Sequence, residues 1–569
     1  QTRLHLCAGK WFANEGLIEE ALRHFLAAGE MDAAARLIEE NLHASIDEDR
    51  SRKVLGCWLT MFPETELKKR PALLVAKAYQ RVAYWDFPAV ISLADRAEAL
   101  LLKPSESFSK ERRRCLHADV DVLRCFCLSW QGDAQGALRH ALRALQGVPV
   151  THHYAYTLVK TYAAGACASS GKLQSALEQL EQYYAEDALR GGKNAADILV
   201  ARGANLVRAG ELDALLRTAH HLLVLQEENH PSLNYYYGYA YYFLAIVAYE
   251  RNHPDAAADY LDHIRQMRFR VNTRLYFESL IGMAHVARGG GDESKVELYL
   301  SEARAFAVET QNANAFRIVN ALEIRKSVLS GSLPQVLPLR IPVYERNMIW
   351  LENLPLYHAE FLIHSGPPAD CATILKIIED ELREAKKHHI QYRVIQFMAL
   401  QALVLSRFGR YDEALGLLEK TLRLAQPSGM VRTFLDRGLH MADLMKSLFR
   451  KNPSDAYLSA LLAAFDRENV KPGHAAVRDV ERPASSGKDP DALSAPQVPL
   501  SNRETDVMLL LEERLSSKEI AQRLFVSPET VRKHIANIFG KLHVHNRRRA
   551  VEAARKFQLL PLKQSGGLT

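Results

Sequence analysis

GDAQGALRHALRALQGVPVTHHYAYTLVKTYAAGACASSGKLQSALEQLEQYYAEDALRGGKNAADILVARGANLVRAGELDAL, residues 132–215, holds one arrangement three times. A glycine is followed five residues later by a small or apolar residue that starts a helical run: Gly132 and Ala137, Gly171 and Ala176, Gly210 and Leu215. The glycines are 39 residues apart at both steps. Glycine enters a left-handed turn without steric cost, and a small residue just beyond lets two helices approach. Outward from this stretch the mark recurs at Gly16 and Ala21, Gly29 and Ala34, and Asn252 and Ala257. It continues at Gly290 and Lys295, Gly331 and Val336, Gly366 and Cys371, and Gly409 and Ala414. Between the marks apolar residues recur at helical spacing, with almost no alternating, strand-like runs. A helix pair repeated every ~34–47 residues predicts an α-solenoid of the tetratricopeptide kind. No pair buries its apolar face alone, so stacking supplies a continuous core and leaves a concave surface. The expected fold is all-α from end to end.

A different pattern closes the chain. Residues 500–560 read LSNRETDVMLLLEERLSSKEIAQRLFVSPETVRKHIANIFGKLHVHNRRRAVEAARKFQLL. Ser501 with Glu504 and Ser516 with Glu519 are capping boxes. The first is followed by Val507, Leu510 and Leu511, the second by Ile520, Ala521 and Leu524, each set on one helical face. After a tight turn, Ser527 and Pro528 form an N-cap with proline at the first helical position. Val531, Ile535, Ile538 and Leu542 make one apolar stripe on the third helix. A fourth helix turns Ala550, Val551, Ala554 and Phe557 inward. Two short helices, the second basic on its outer face, form a helix-turn-helix unit suited to the major groove. Arg532 and Lys533 lie in the first turns, where base-reading side chains sit. Thr530, His534, Asn537, Lys541 and the run beginning at Arg547 are placed for phosphates, as are the backbone amides freed at Ser527.

Charge agrees with that placement. The net charge of the 569 residues is +6. From Leu500 onward there are 13 Lys/Arg against 7 Asp/Glu, which leaves 60 of each upstream. The whole surplus falls on the segment that needs a phosphate-binding footprint. A hydrophobic content of 48% and a charged content of 25% are ordinary for globular protein, and the length calls for two or three domains. Seven cysteines without a CxxC pair give neither a zinc framework nor a disulfide pattern, and favour a reducing, cytoplasmic setting. No apolar run reaches membrane-span length, and no signal peptide opens the chain.

The terminal stretch resembles the LuxR-type helix-turn-helix domain, through LSNRE at 500–504, SSKEIAQRL at 516–524 and SPETVRKHIANIFGKL at 527–542. The resemblance implies that Arg532, Lys533 and the Ala536 position face bases, that Thr530 and Lys541 approach the backbone, and that the last helix pairs two DNA-bound domains. Arg514 stands where the family usually has glycine, which predicts a differently shaped turn. The opening, LHLCAGKWFANEGLIEEALRHFLAAGEMDAAARLIEEN, resembles the segment joining winged-helix and solenoid regions in the large ATP-dependent LuxR regulators, the MalT-like family. In that family a nucleotide-binding module precedes the region, the solenoid senses an inducer, and RNA polymerase is a partner. The chain begins at Gln1 within a helical pattern, so a missing N-terminal part is expected.

These readings give a helical junction over 1–45, a tetratricopeptide-like solenoid over 46–469, a flexible linker over 470–499 with five prolines, and a four-helix LuxR-type domain over 500–563. No GxxxxGK[ST] loop is present, and the nearest string, Gly165 to Leu173, has the wrong spacing and falls at a repeat turn. No ATP site, metal or other cofactor is expected in these residues, and no catalytic set stands out. The pairs His152-His153, His220-His221 and His388-His389 lack the i, i+4 spacing of a metal face and read as surface or satisfied histidines. Tyr235 to Tyr242 is the least usual stretch of the solenoid. Core packing accounts for most of it, and Tyr236, Tyr239 and Tyr242 are the members assigned to an effector groove. Two functions remain open. One is a sequence-specific transcription regulator, an activator, binding double-stranded DNA and sensing a small inducer or regulatory protein. The other is a solenoid scaffold with weak, non-specific nucleic-acid affinity.

Overall fold

The computed structural model describes residues 1–48, 53–82, 86–103, 109–190, 194–228, 234–268, 273–310 and 371–469, isolated positions between them, and parts of 507–551. Among the described residues every regular element is helical, and no helix is long and apolar enough to cross a membrane. The chain forms two compact units, Gln1–Ala475 and Ala476–Thr569. The segment 470–499 and the marks at Gly331 and Gly366 lie outside the described residues.

The repeat mark has a hydrogen-bonding cause. Helix Lys110–Gln131 ends at Gly132, whose φ of +81° is left-handed. That turn aims the Asp133 N–H at the Leu128 carbonyl, 2.9 Å away, and satisfies a carbonyl the helix end leaves open. Asp133 then caps the next helix, Ala134–Leu145, by accepting from the Gly136 N–H at 2.8 Å. The Ala137 N–H completes the first turn by donating to the Asp133 carbonyl at 2.9 Å. The same bond reaching back five residues recurs from Leu17, Glu30, Lys172, Glu211, His253 and Arg410. The residues five beyond each turn, Ala21, Ala34, Ala137, Ala176, Leu215, Ala257 and Ala414, are all fully buried. Gly171 belongs to this series, with φ +86°, so the phosphate-loop-like string around it is a helix end.

Two positions depart from the expected register. The turn assigned to Gly290 is made by Gly291, with φ +74°. Asp292 sets this register, because its carboxylate accepts from the Lys295 N–H at 3.0 Å and can cap only from that position. The buried residue is therefore Val296, while Lys295 is exposed. A further turn lacks glycine altogether. His389 has φ +52° and precedes Ile390, whose N–H bonds the Ala385 carbonyl at 2.9 Å. Histidine is among the non-glycine residues that tolerate this region, and Val394, five residues on, is buried.

The first unit is more than a one-dimensional stack. One core runs from Ala21 to Ala166, and a second joins residues from Ala196 to Phe465. Within the second, the segment 388–436 returns onto the turns at 171–251. A Cβ on Gly171 would lie 2.6 Å from the His389 ring, and one on Gly210 would lie 3.0 Å from Met430. Arg208 donates to the His388 carbonyl and Arg251 to that of Ser428, each at 3.4 Å. Repeats about 180–220 residues apart in sequence thus share a core, whereas an ideal solenoid repeat touches only its neighbours.

A buried carboxyl sits in this closure. Glu250 accepts from the Tyr392 hydroxyl, and from the Thr433 N–H at 3.3 Å and hydroxyl at 3.0 Å. Burial, with the Asp436 charge adding to it, holds its pKa above the ordinary 4.5 despite those bonds. The folded state therefore keeps a proton that the unfolded chain has lost. Stability from this group is full below the unfolded value and declines as pH rises through the folded one. Glu250→Gln cannot ionise, and its amide can still accept from Thr433 and donate to Tyr392. The stability of Glu250→Gln relative to the parent should rise as pH increases above about 4.5, as measured by urea denaturation of the full chain. A difference independent of pH would remove Glu250 as a titrating contributor.

Candidate nucleic-acid interface

In the C-terminal unit the best described elements are helices Ser517–Leu524 and Pro528–Leu542. The first opens with the predicted capping box in both directions. The Ser516 N–H donates to Glu519 at 2.7 Å and the Glu519 N–H to the Ser516 hydroxyl at 3.3 Å. These bonds hold the Glu519 carboxyl below the usual carboxylate range. Ile520 and Ala521 then turn into a core with Val507, Met508, Leu511, Val531, Ile535, Ile538, Val544 and Ala550. Leu510, Phe539 and Val551 pack around it.

On helix Pro528–Leu542, Val531 and Ile538 are 0% exposed and Ile535 7%, so one face is fixed. Arg532, Lys533, Ala536 and Asn537 are exposed on the other. Positions 532 and 536, and 533 and 537, are one turn apart, so the four form a single patch. His534 is half-buried at its margin. The Arg532 guanidinium rests 3.4 Å from the Glu529 carboxylate, and both side chains are largely exposed. Such a pair contributes little, and Arg532 leaves it at small cost. Arg547, exposed and expected on phosphate, donates to the Ser517 hydroxyl at 2.6 Å. It therefore ties the last helix to the start of Ser517–Leu524, a role the sequence reading missed. Ser527 and Arg514 lie outside the described residues, as do the side chains of Thr530, Lys541 and Leu542.

The tyrosine assignments in the solenoid need correction. Helix Asn234–Glu250 is apolar nearly all round and is enclosed by its neighbours, as such helices are. Tyr236 is 4% and Tyr242 1% exposed, and the Tyr242 hydroxyl is bonded to the buried Glu278 carboxylate. Neither lines an open groove. Tyr239 is half-buried against the same core, 6.3 Å from the Phe243 ring. The aromatic face that remains partly open is instead Tyr237, Tyr241, Tyr260 and His263, with Tyr241 stacked 4.7 Å from His263. Tyr237 and Tyr241 are one turn apart, a spacing visible in the sequence once the inward residues are known.

Residues 118–451 match the MalT-like TPR region family, and residues 498–554 match the luxR family of bacterial regulatory proteins. Among curated proteins, the chain is similar to the HTH-type transcriptional regulator MalT of Klebsiella pneumoniae (strain 342), at 22% identity over 99% of this chain and 62% of that protein. It is similar to the same regulator of Yersinia enterocolitica at 22% identity over 97% of the chain and 61% of that protein. For Serratia proteamaculans the figures are 20%, 99% and 62%. The chain thus spans about three fifths of the length of these curated relatives.

Proposed function

Because the chain belongs to the MalT-like TPR region family and ends in a luxR-family domain, we propose that it is a sequence-specific, DNA-binding transcription regulator. The observation that carries this is the exposed patch of Arg532, Lys533, Ala536 and Asn537 on a helix pinned by Val531, Ile535 and Ile538. A rigid helix with a basic outward face reads the major groove, Arg532 and Lys533 at base edges and Thr530, His534, Asn537 and Lys541 along the phosphates. The solenoid senses an inducer or regulatory protein and the output is activation through RNA polymerase, with self-association on DNA, in the cytoplasm. The role is regulatory and not catalytic.

The test compares variants of the full chain on a duplex selected from random sequence and on single-base-altered copies, across a salt series. Arg532→Ala should lose about 1–3 kcal/mol on the selected duplex and relax preference at one position. Lys541→Ala should weaken all duplexes alike and shallow the logarithmic salt slope by about one unit. Equal losses on every duplex for Arg532→Ala would move it among the phosphate contacts. A parent chain with no preference among duplexes would favour the scaffold reading.

A further inference from the structure

We propose that His43, Asp119 and His152 form a site for one divalent cation of the zinc class, joining three helices of the solenoid's N-terminal half. One nitrogen from each imidazole and one carboxylate oxygen all lie within 4.8 Å of one another. The residues come from helix Met31–Glu48, helix Lys110–Gln131 and the position just before helix His153–Ser169. His43 Nε2 is 3.2 Å from Asp119 Oδ2, and the His152 ring stacks on that of His43 with centroids 3.6 Å apart. Two imidazoles and one carboxylate are a ligand set that zinc takes with its fourth position open.

Three observations point to a cation and not only to a buried ion pair. His152 Nδ1 is buried and makes no hydrogen bond, which is costly for a polar atom without a partner. Asp119, 2% exposed, receives the Tyr79 hydroxyl on Oδ1 at 2.7 Å and so presents Oδ2 toward His43 and His152. That is the outer support by which ligating carboxylates are oriented. Asp47, four residues beyond His43, accepts from the His153 N–H at 3.1 Å and the Tyr154 N–H at 2.6 Å. It thereby fixes the backbone beside His152. Tetrahedral bonds of 2.0–2.1 Å place ligand atoms about 3.3 Å apart.

The bound ion would tie helices Met31–Glu48 and Lys110–Gln131 to the start of His153–Ser169, and occupancy should raise the thermal transition of the unit. The test uses the full chain stripped with EDTA, titrated with Co²⁺ and then back-titrated with Zn²⁺. One equivalent should give the visible bands of tetrahedral Co²⁺, displaced by Zn²⁺. His152→Ala should abolish the bands while metal-free helicity is kept, because the His152 side chain makes no capping bond. His24→Ala alters the other histidine pair, His5 and His24, and should leave the bands unchanged. Tyr79→Phe removes only the hydroxyl on Asp119 and should weaken Zn²⁺ binding by about 10–100-fold. Absence of tetrahedral bands at one equivalent, their survival in His152→Ala, their loss in His24→Ala, or unaltered affinity in Tyr79→Phe would each overturn the assignment.

Discussion

Val531→Asp should abolish sequence-specific DNA binding by the full chain while the solenoid unit melts as before. Val531 is fully buried within a core of about ten side chains. Removing its burial costs about 1.5–3 kcal/mol, and placing an unpartnered polar group there costs a further 2–7 kcal/mol, roughly. Protonation of the new carboxyl would limit the second cost without removing it. A domain of some 60 residues has only about 3–9 kcal/mol of stability to lose, so the two together remove most or all of it. All five tryptophans lie upstream of residue 500, so their fluorescence follows the solenoid unit alone. Hydrogen exchange over 507–551 follows the other unit. Specific binding retained at parental strength, with slow exchange over that segment, would refute the placement of Val531 in the core.

Which features were legible in the sequence depends on whether their cause is local. Repeat turns are local: a left-handed residue, a bond five residues back and a buried residue five ahead all lie within one short window, so Gly132 and Gly171 announce themselves. Where two glycines adjoin, the decision passes to the capping Asp292, and Gly291 takes the turn in place of Gly290. His389 was hidden because its residue type tolerates the left-handed region without advertising it. The capping box at Ser516 and the stripe at Val531, Ile535 and Ile538 are likewise local, and they have the expected geometry. Contacts between distant elements leave no such mark. The return of 388–436 onto 171–251, the bond from Arg547 to Ser517, and the meeting of His43, Asp119 and His152 each join residues far apart in sequence. The tyrosine run failed for a related reason: periodicity showed that the rings cannot share one face, and only the neighbouring helices determine which are enclosed.

Those distant contacts are also where a single substitution should cost most, and Arg432→Ala is the sharpest case. Arg432 is 3% exposed, with one guanidinium nitrogen 2.6 Å from Glu468 and another 3.5 Å from Asp436. Its plane lies 5.7 Å from the centre of the Tyr249 ring, and the Tyr249 hydroxyl donates to Asp436 at 2.7 Å. One cation thus joins helix Asn234–Glu250, the short helix Arg432–Leu435 and helix Ala456–Asn469. Burying charges is expensive, so the intact network adds little net stability, but truncating Arg432 removes the cation that both Glu468 and Asp436 face. Truncating one partner of a buried pair typically costs about 3–5 kcal/mol. Arg432→Lys should recover only part, because an ammonium lacks the planar fork that reaches both carboxylates. Neutralising the acids as well, in Arg432→Met with Asp436→Asn and Glu468→Gln, should restore more than Arg432→Lys does, since the two carboxylates that faced Arg432 are then uncharged. Urea denaturation of the full chain, followed by tryptophan fluorescence, separates the possibilities. A loss below about 1 kcal/mol for Arg432→Ala, the range of an exposed pair, would mean that water reaches these groups and that the closure is held by its apolar contacts alone.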